Sequence, residues 1–186
     1  RMRRVISTCF AFLLTTPLAA QQSDLAKALP LDSHVVAGTL PNGIHYYIRV
    51  NHRPEKRAEL RLAVNAGSVL EDDTQRGIAH FVEHMAFNGT KHFARQELVS
   101  YLESIGMRFG ADLNAYTSFD ETVYMLTVPT DTGTFLPKGF EILRDWADGV
   151  TFDSAEVDRE RGVVIEEWRL GRGAEARMQD QQFPVL

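Results

Sequence analysis

Ala58-Glu59-Leu60-Arg61-Leu62-Ala63-Val64-Asn65-Ala66 decides how this chain folds. Apolar residues occupy every second position, with Glu59, Arg61 and Asn65 between them, which is the period of a strand with one buried face. Upstream, residues 34–40 and 43–50 alternate in the same way and are joined by Pro41-Asn42-Gly43. Asn-Gly between two such runs predicts a hairpin. Downstream the period lengthens to that of a helix, from about Arg76 to Phe87 and from about Arg95 to Ile105. Residues 112–118 and 121–128 read as two more strands. Two long helices follow over roughly 132–148 and 154–170, the second with Ser154 as its N-cap. Strands joined by short turns, with helices between the groups, predict an α+β fold in which a mainly antiparallel sheet packs against helices.

Composition narrows what such a fold can do. Of 186 residues, 44% are hydrophobic and 24% charged, which supplies a core and excludes a disordered chain. Lys and Arg number 20 against 25 Asp and Glu, a net charge of −5, so no nucleic-acid partner is expected. A single cysteine rules out an internal disulfide and any site built from several thiolates. A metal would therefore rest on His, Asp and Glu.

Arg1, Arg3 and Arg4 precede an apolar run from Val5 to Leu14, and Leu18-Ala19-Ala20 supplies small residues before Gln21. This predicts a signal peptide over residues 1–20 and a periplasmic or secreted protein. The run is too short to span a bilayer, so no stable membrane anchor is expected. Cleavage would remove three arginines and Cys9, leaving a thiol-free chain of net charge −8. Residues 21–33 read as a lead-in segment and 34–186 as one domain without repeats. Arg1 stands ahead of Met2, and Phe183-Pro184-Val185-Leu186 follows a charged helical stretch with no terminal signal. The expectation is a domain truncated at its C-terminal end.

The chemistry is concentrated in His80-Phe81-Val82-Glu83-His84. Residues four apart on a helix lie one turn above each other, so both imidazoles can reach one ion. On a helical wheel Ile78, Phe81, Val82, Met85 and Ala86 share the face that should pack on the sheet, and His80, Glu83 and His84 share the opposite face. An ordinary amphipathic helix with two histidines on its polar side is the alternative. A zinc site needs at least one further protein ligand, and a catalytic one leaves the fourth position to water. The last helix supplies the candidates. There Val157, Val164, Ile165 and Trp168 form the expected buried stripe, and Glu160 and Glu167, seven apart, lie at its edge, with Glu166 turned to solvent. Carboxylates beside an apolar stripe need a cation or hydrogen bonds to stay charged. Glu167 is the better ligand; Glu160 could pair with a neighbouring arginine such as Arg159 or Arg161, with or without a part in the site. His34, His45, His52 and His92 read as surface or structural residues.

Three segments, HFVEHMAFNGTKHF at 80–93, LNAYTSFDETVY at 113–124 and RERGVVIEEW at 159–168, together resemble the pitrilysin/insulinase family of zinc metallopeptidases, whose signature is HxxEH. The resemblance runs from Leu40 to Trp168 and is greatest to the long bacterial periplasmic members. It implies a metallopeptidase domain of the pitrilysin and mitochondrial-processing-peptidase type. It implies one Zn2+ held by His80, His84 and Glu167, and a requirement for Glu160. It implies Glu83 as general base, taking a proton from zinc-activated water and passing it to the leaving amine. It also implies that Asn114, Ala115 and Tyr116 lie on a strand to whose edge a substrate peptide adds, though the same residues would suit any sheet strand. The substrates so implied are peptides or unfolded polypeptides.

Family members of this type close several homologous domains around a chamber, and their second half supplies further substrate-binding groups. This segment is therefore expected to bind zinc but to cleave poorly without those domains or a partner subunit. A non-catalytic or partner-dependent peptide-binding subunit of the same fold is the alternative function. The intact His80, Glu83, His84 and Glu167 argue against it. A purely structural metal domain would have no use for Glu83.

Overall fold

The computed structural model describes residues 30–185. The expected signal peptide, residues 1–20 with Cys9, and most of the lead-in lie outside the described residues. The chain divides into two compact units, one ending at Asn51 and the other beginning at His52.

The first unit contains the hairpin. Strands β1 (Val35–Thr39) and β2 (His45–Arg49) pair antiparallel, with Val35 opposite Arg49 and Thr39 opposite His45. Gly43 takes φ +90°, a conformation that disfavours side chains, and its amide donates to the Leu40 carbonyl at 2.9 Å.

In the second unit β3 (Arg57–Val64), β4 (Leu113–Thr117) and β5 (Thr122–Pro129) form an antiparallel sheet in the order β3-β5-β4. The register aligns Leu60 with Leu126 and Leu126 with Leu113, so the alternation of each strand adds to one apolar face. Five helices accompany it: α1 (Ile78–Met85), α2 (Glu97–Ser104), α3 (Phe135–Asp148), α4 (Ser154–Leu170) and α5 (Ala174–Gln182). Leu98 and Leu102 of α2 and Ile142 and Trp146 of α3 bury against Leu113, Tyr124, Leu126 and Val128. Trp146 stacks on Tyr124 with ring centroids 5.3 Å apart. The α+β architecture and every strand and long helix expected from periodicity are present, with ends moved by a few residues.

Three local expectations need correction. The N-cap of α4 is Asp153, whose carboxylate accepts from the Ala155 and Glu156 amides, and Ser154 is the first helical residue. The expected buried stripe of α4 is only half buried: Val157 and Val164 are partly covered, whereas Ile165 and Trp168 are exposed. Among the described residues α4 packs mainly on α1, and the Arg172 guanidinium lies over one face of the exposed Trp168 ring, 4.6 Å from its centroid. Ile78 is likewise exposed, because it lies in the first turn of α1, while Met85 and Ala86 at the other end are fully buried.

Candidate metal centre

Helix α1 begins without a capping side chain of its own. Its N-cap, Gly77, sits at φ +88°, where a glycine is the residue that fits without strain. The free amides of that first turn are met from outside the helix by Glu71, whose two carboxylate oxygens accept from Gly77 N and Ala79 N, both at 2.7 Å. At the other end, the chain leaving α1 is held by Asp145 of α3. That buried carboxylate accepts from the Thr90 hydroxyl at 2.6 Å, the His92 amide at 3.0 Å and His92 Nδ1 at 2.7 Å. Burial alone would raise the Asp145 pKa, but the hydrogen bonds from Thr90 and His92 outweigh it and hold the carboxyl below its ordinary range. His92 is thus the structural residue expected of it.

With α1 fixed at both ends, the helical repeat stacks His80 and His84. Their rings stand edge to face at 4.7 Å, and their Nε2 atoms are 3.2 Å apart. From α4, Glu167 brings Oε2 to 3.1 Å from His84 Nε2 and 3.8 Å from His80 Nε2. One donor atom from each of the three residues lies within 4.8 Å of the others. Zinc about 2.0–2.1 Å from each of its tetrahedral donors sets those donors roughly 3.3–3.4 Å apart. The observed spacings bracket that value, and two imidazoles with a carboxylate are a donor set that zinc accepts. Two neutral imidazoles facing each other through nitrogen lone pairs are also a poor contact unless a cation or a proton lies between them.

Glu160, one heptad before Glu167, meets the far side of the same ring. Its Oε1 lies 2.7 Å from His84 Nδ1, with only 14% of its side chain exposed. A carboxylate can only accept, so the proton belongs on Nδ1 and the Nε2 lone pair is turned towards His80 and Glu167. The alternative pairing of Glu160 with Arg159 or Arg161 does not occur: Arg159 bonds to Glu156, and Arg161 lies nearest Asp158. Glu166 points outward and approaches Arg169 at 3.3 Å.

Glu83 departs from the wheel. It does not project freely beside the histidines but is buried, 8% exposed, beneath the end of β4, where its Oε2 accepts from the Thr117 hydroxyl at 2.7 Å. Burial also pushes the nearby Tyr124 phenol up to about 12, to which the Glu83 charge adds, so this phenol stays neutral. Asn114, Ala115 and Tyr116 all lie on β4. Asn114 and Tyr116 are exposed, and Ala115 packs on the core side. The Tyr116 hydroxyl donates to Glu121 at 2.7 Å, which raises its pKa. One edge of β4 pairs with β5; among the described residues no strand pairs with the other. An open hollow of about 440 Å³ borders His80, Glu71, Thr117 and Phe119 beside that strand. Sequence reading missed Glu71 and Thr117. Neither carries a local signature, because each acts on a residue brought near only by folding.

Comparison with known proteins gives a consistent result. The family model described as Insulinase (Peptidase family M16) matches residues 47–178. The chain is 42% identical over 178 residues to the probable zinc protease PqqL of Escherichia coli, covering 96% of this chain but 19% of that protein. It is 44% identical over 149 residues to the zinc protease PQQL-like of Arabidopsis thaliana, covering 80% of this chain and 16% of the relative. The crystal structure of the first half of the periplasmic protease PqqL from Escherichia coli superposes with a TM-score of 0.79 at 44% identity, covering 83% of this chain and 33% of that one. The chain thus spans about a fifth of the length of the curated relatives it matches.

Proposed function

Because the chain belongs to the insulinase family of peptidases, family M16, we propose that it carries the catalytic metal centre of a zinc metalloendopeptidase acting on peptides or unfolded polypeptides. The observation that carries this reading is the meeting of His80, His84 and Glu167 at one point, with Glu160 directing the His84 tautomer. Bound there, zinc would lower the pKa of a water molecule and polarise the scissile carbonyl. His80, His84 and Glu167 are the proposed ligands. Glu83 is the proposed general base, taking the proton of the attacking water and delivering it to the leaving amine. The free edge of β4, with Asn114, Ala115 and Tyr116, is suited to receive an extended substrate as an added strand, so that main-chain hydrogen bonds supply affinity with little dependence on side chains.

A periplasmic location is supported by the relative described as a periplasmic protease. Among the described residues no helix is long and apolar enough to cross a membrane. Full activity is proposed to need further homologous domains or a partner subunit, in keeping with the much greater length of the relatives. The test is substitution in the full-length protein, with zinc measured by elemental analysis and cleavage of an internally quenched, unstructured peptide. Glu83→Gln is expected to keep zinc and lose cleavage. Glu167→Gln should lose zinc while Glu166→Gln keeps it. Retained cleavage in Glu83→Gln would remove that residue from the mechanism, and the reverse pattern at 166 and 167 would reassign the ligand.

A further inference from the structure

We propose that Thr117 is the positioning residue for Glu83, holding one carboxylate oxygen so that the other is presented for proton transfer. The inference rests on the assignment of Glu83 as general base. Thr117 and Thr122 face each other where the 118–121 turn closes the β4–β5 hairpin, with their hydroxyl oxygens 3.3 Å apart. The Thr122 hydroxyl donates to the Ala66 carbonyl at 2.8 Å, and a carbonyl can only accept. With that proton committed, Thr122 offers Thr117 only a lone pair at 3.3 Å, and the Thr117 proton goes to the closer, accept-only carboxylate oxygen, Glu83 Oε2 at 2.7 Å. The hydrogen-bond direction thus runs towards the carboxylate from a strand whose own pairing is already made through the backbone. Threonine suits the task, because branching at Cβ restricts χ1 and keeps the hydroxyl aimed. Among the described residues Glu83 Oε1 has no hydrogen bond, so the two oxygens of this buried group are not equivalent. A base held in one orientation before substrate arrives keeps the reacting atoms in register, and a misplacement of about 1 Å can cost on the order of a hundredfold in rate.

Thr117→Val preserves shape and removes only the donor. In the full-length protein, assayed with an internally quenched, unstructured peptide, it is expected to lower kcat by about 10- to 100-fold with KM essentially unchanged. Zinc content should stay at the wild-type level. Thr117→Ser should recover most of the lost kcat, because it restores the hydroxyl. In metal-free crystals of Thr117→Val, the Glu83 carboxylate should leave its present position or occupy more than one. Wild-type kcat in Thr117→Val beside an inactive Glu83→Gln overturns this inference alone. Full cleavage by Glu83→Gln overturns the general-base reading and this one with it. Loss of zinc from Thr117→Val, or no recovery in Thr117→Ser, would make Thr117 a structural residue and also overturn it.

Discussion

Replacing Glu160 by Gln should weaken zinc binding without touching a proposed ligand. The side chain keeps its length and its shape against α1, but the anionic acceptor opposite His84 Nδ1 is lost. Both groups are largely shielded, with side-chain exposures of 14% and 19%, so solvent screens the interaction little. The Gln carbonyl can still accept from Nδ1, so the loss is the difference between a hydrogen bond to a charged group, about 1.5–3 kcal/mol, and a neutral one, about 0.5–1.5 kcal/mol, or about 1–1.5 kcal/mol. At about 1.4 kcal/mol per decade, that corresponds to roughly a 5- to 12-fold increase in the dissociation constant, near the lower end of the range typical of partners behind a metal ligand. Competition against a chromophoric chelator at neutral pH measures it, with circular dichroism confirming an intact fold. Glu166→Gln serves as the control. It removes an exposed carboxylate paired only with Arg169, and it should leave affinity within about twofold. Equal zinc affinity in Glu160→Gln and wild type would refute the argument that the Nδ1 contact prepares His84 for the metal.

Two further outcomes follow from the supports at the ends of α1. Glu71→Ala leaves the Gly77 and Ala79 amides without their carboxylate, and it should cost about 1–3 kcal/mol of stability and weaken zinc binding, read by thermal denaturation and chelator competition. Asp145→Asn should cost about 1.5–3 kcal/mol at pH 7, read by denaturant unfolding. The folded pKa of Asp145 is lowered, so its stabilisation is complete above the unfolded value near 3.9 and is lost as pH falls through the folded value. Wild type should therefore lose part of its advantage over Asp145→Asn below about pH 4, and a constant difference across that range would contradict the linkage.

What sequence could reveal was whatever is written in local periodicity. The alternation of Ala58–Ala66, the Asn42-Gly43 turn and the four-residue spacing of His80 and His84 each encode geometry within one element, and each reappears in the structure. The wheel also separated Glu160 and Glu167 from Glu166, since an angle about one helix axis is a local property. It failed where a second element determines the environment. Glu83 shares a helical face with two histidines that are only partly covered, yet β4 buries it. Ile165 and Trp168 have the spacing of a buried stripe, but spacing does not say whether anything lies opposite. The pairing of β3 with β5 rather than with its sequence neighbour β4 depends on the whole chain and leaves no trace in either strand alone.

The site joins α1 to a helix 76 residues further along, measured from His84 to Glu160. During synthesis, an eight-residue α1 offers two histidines on a segment too short to hold its shape in water. Contacts of such long range carry a larger loop-closure cost than local ones. Metal that recognises only the assembled site would then add its binding free energy to the finished state and none to earlier ones. On the proposed zinc reading, occupancy of the site would thus report that the two helices have come together, and a chain in which they have not would hold the ion weakly.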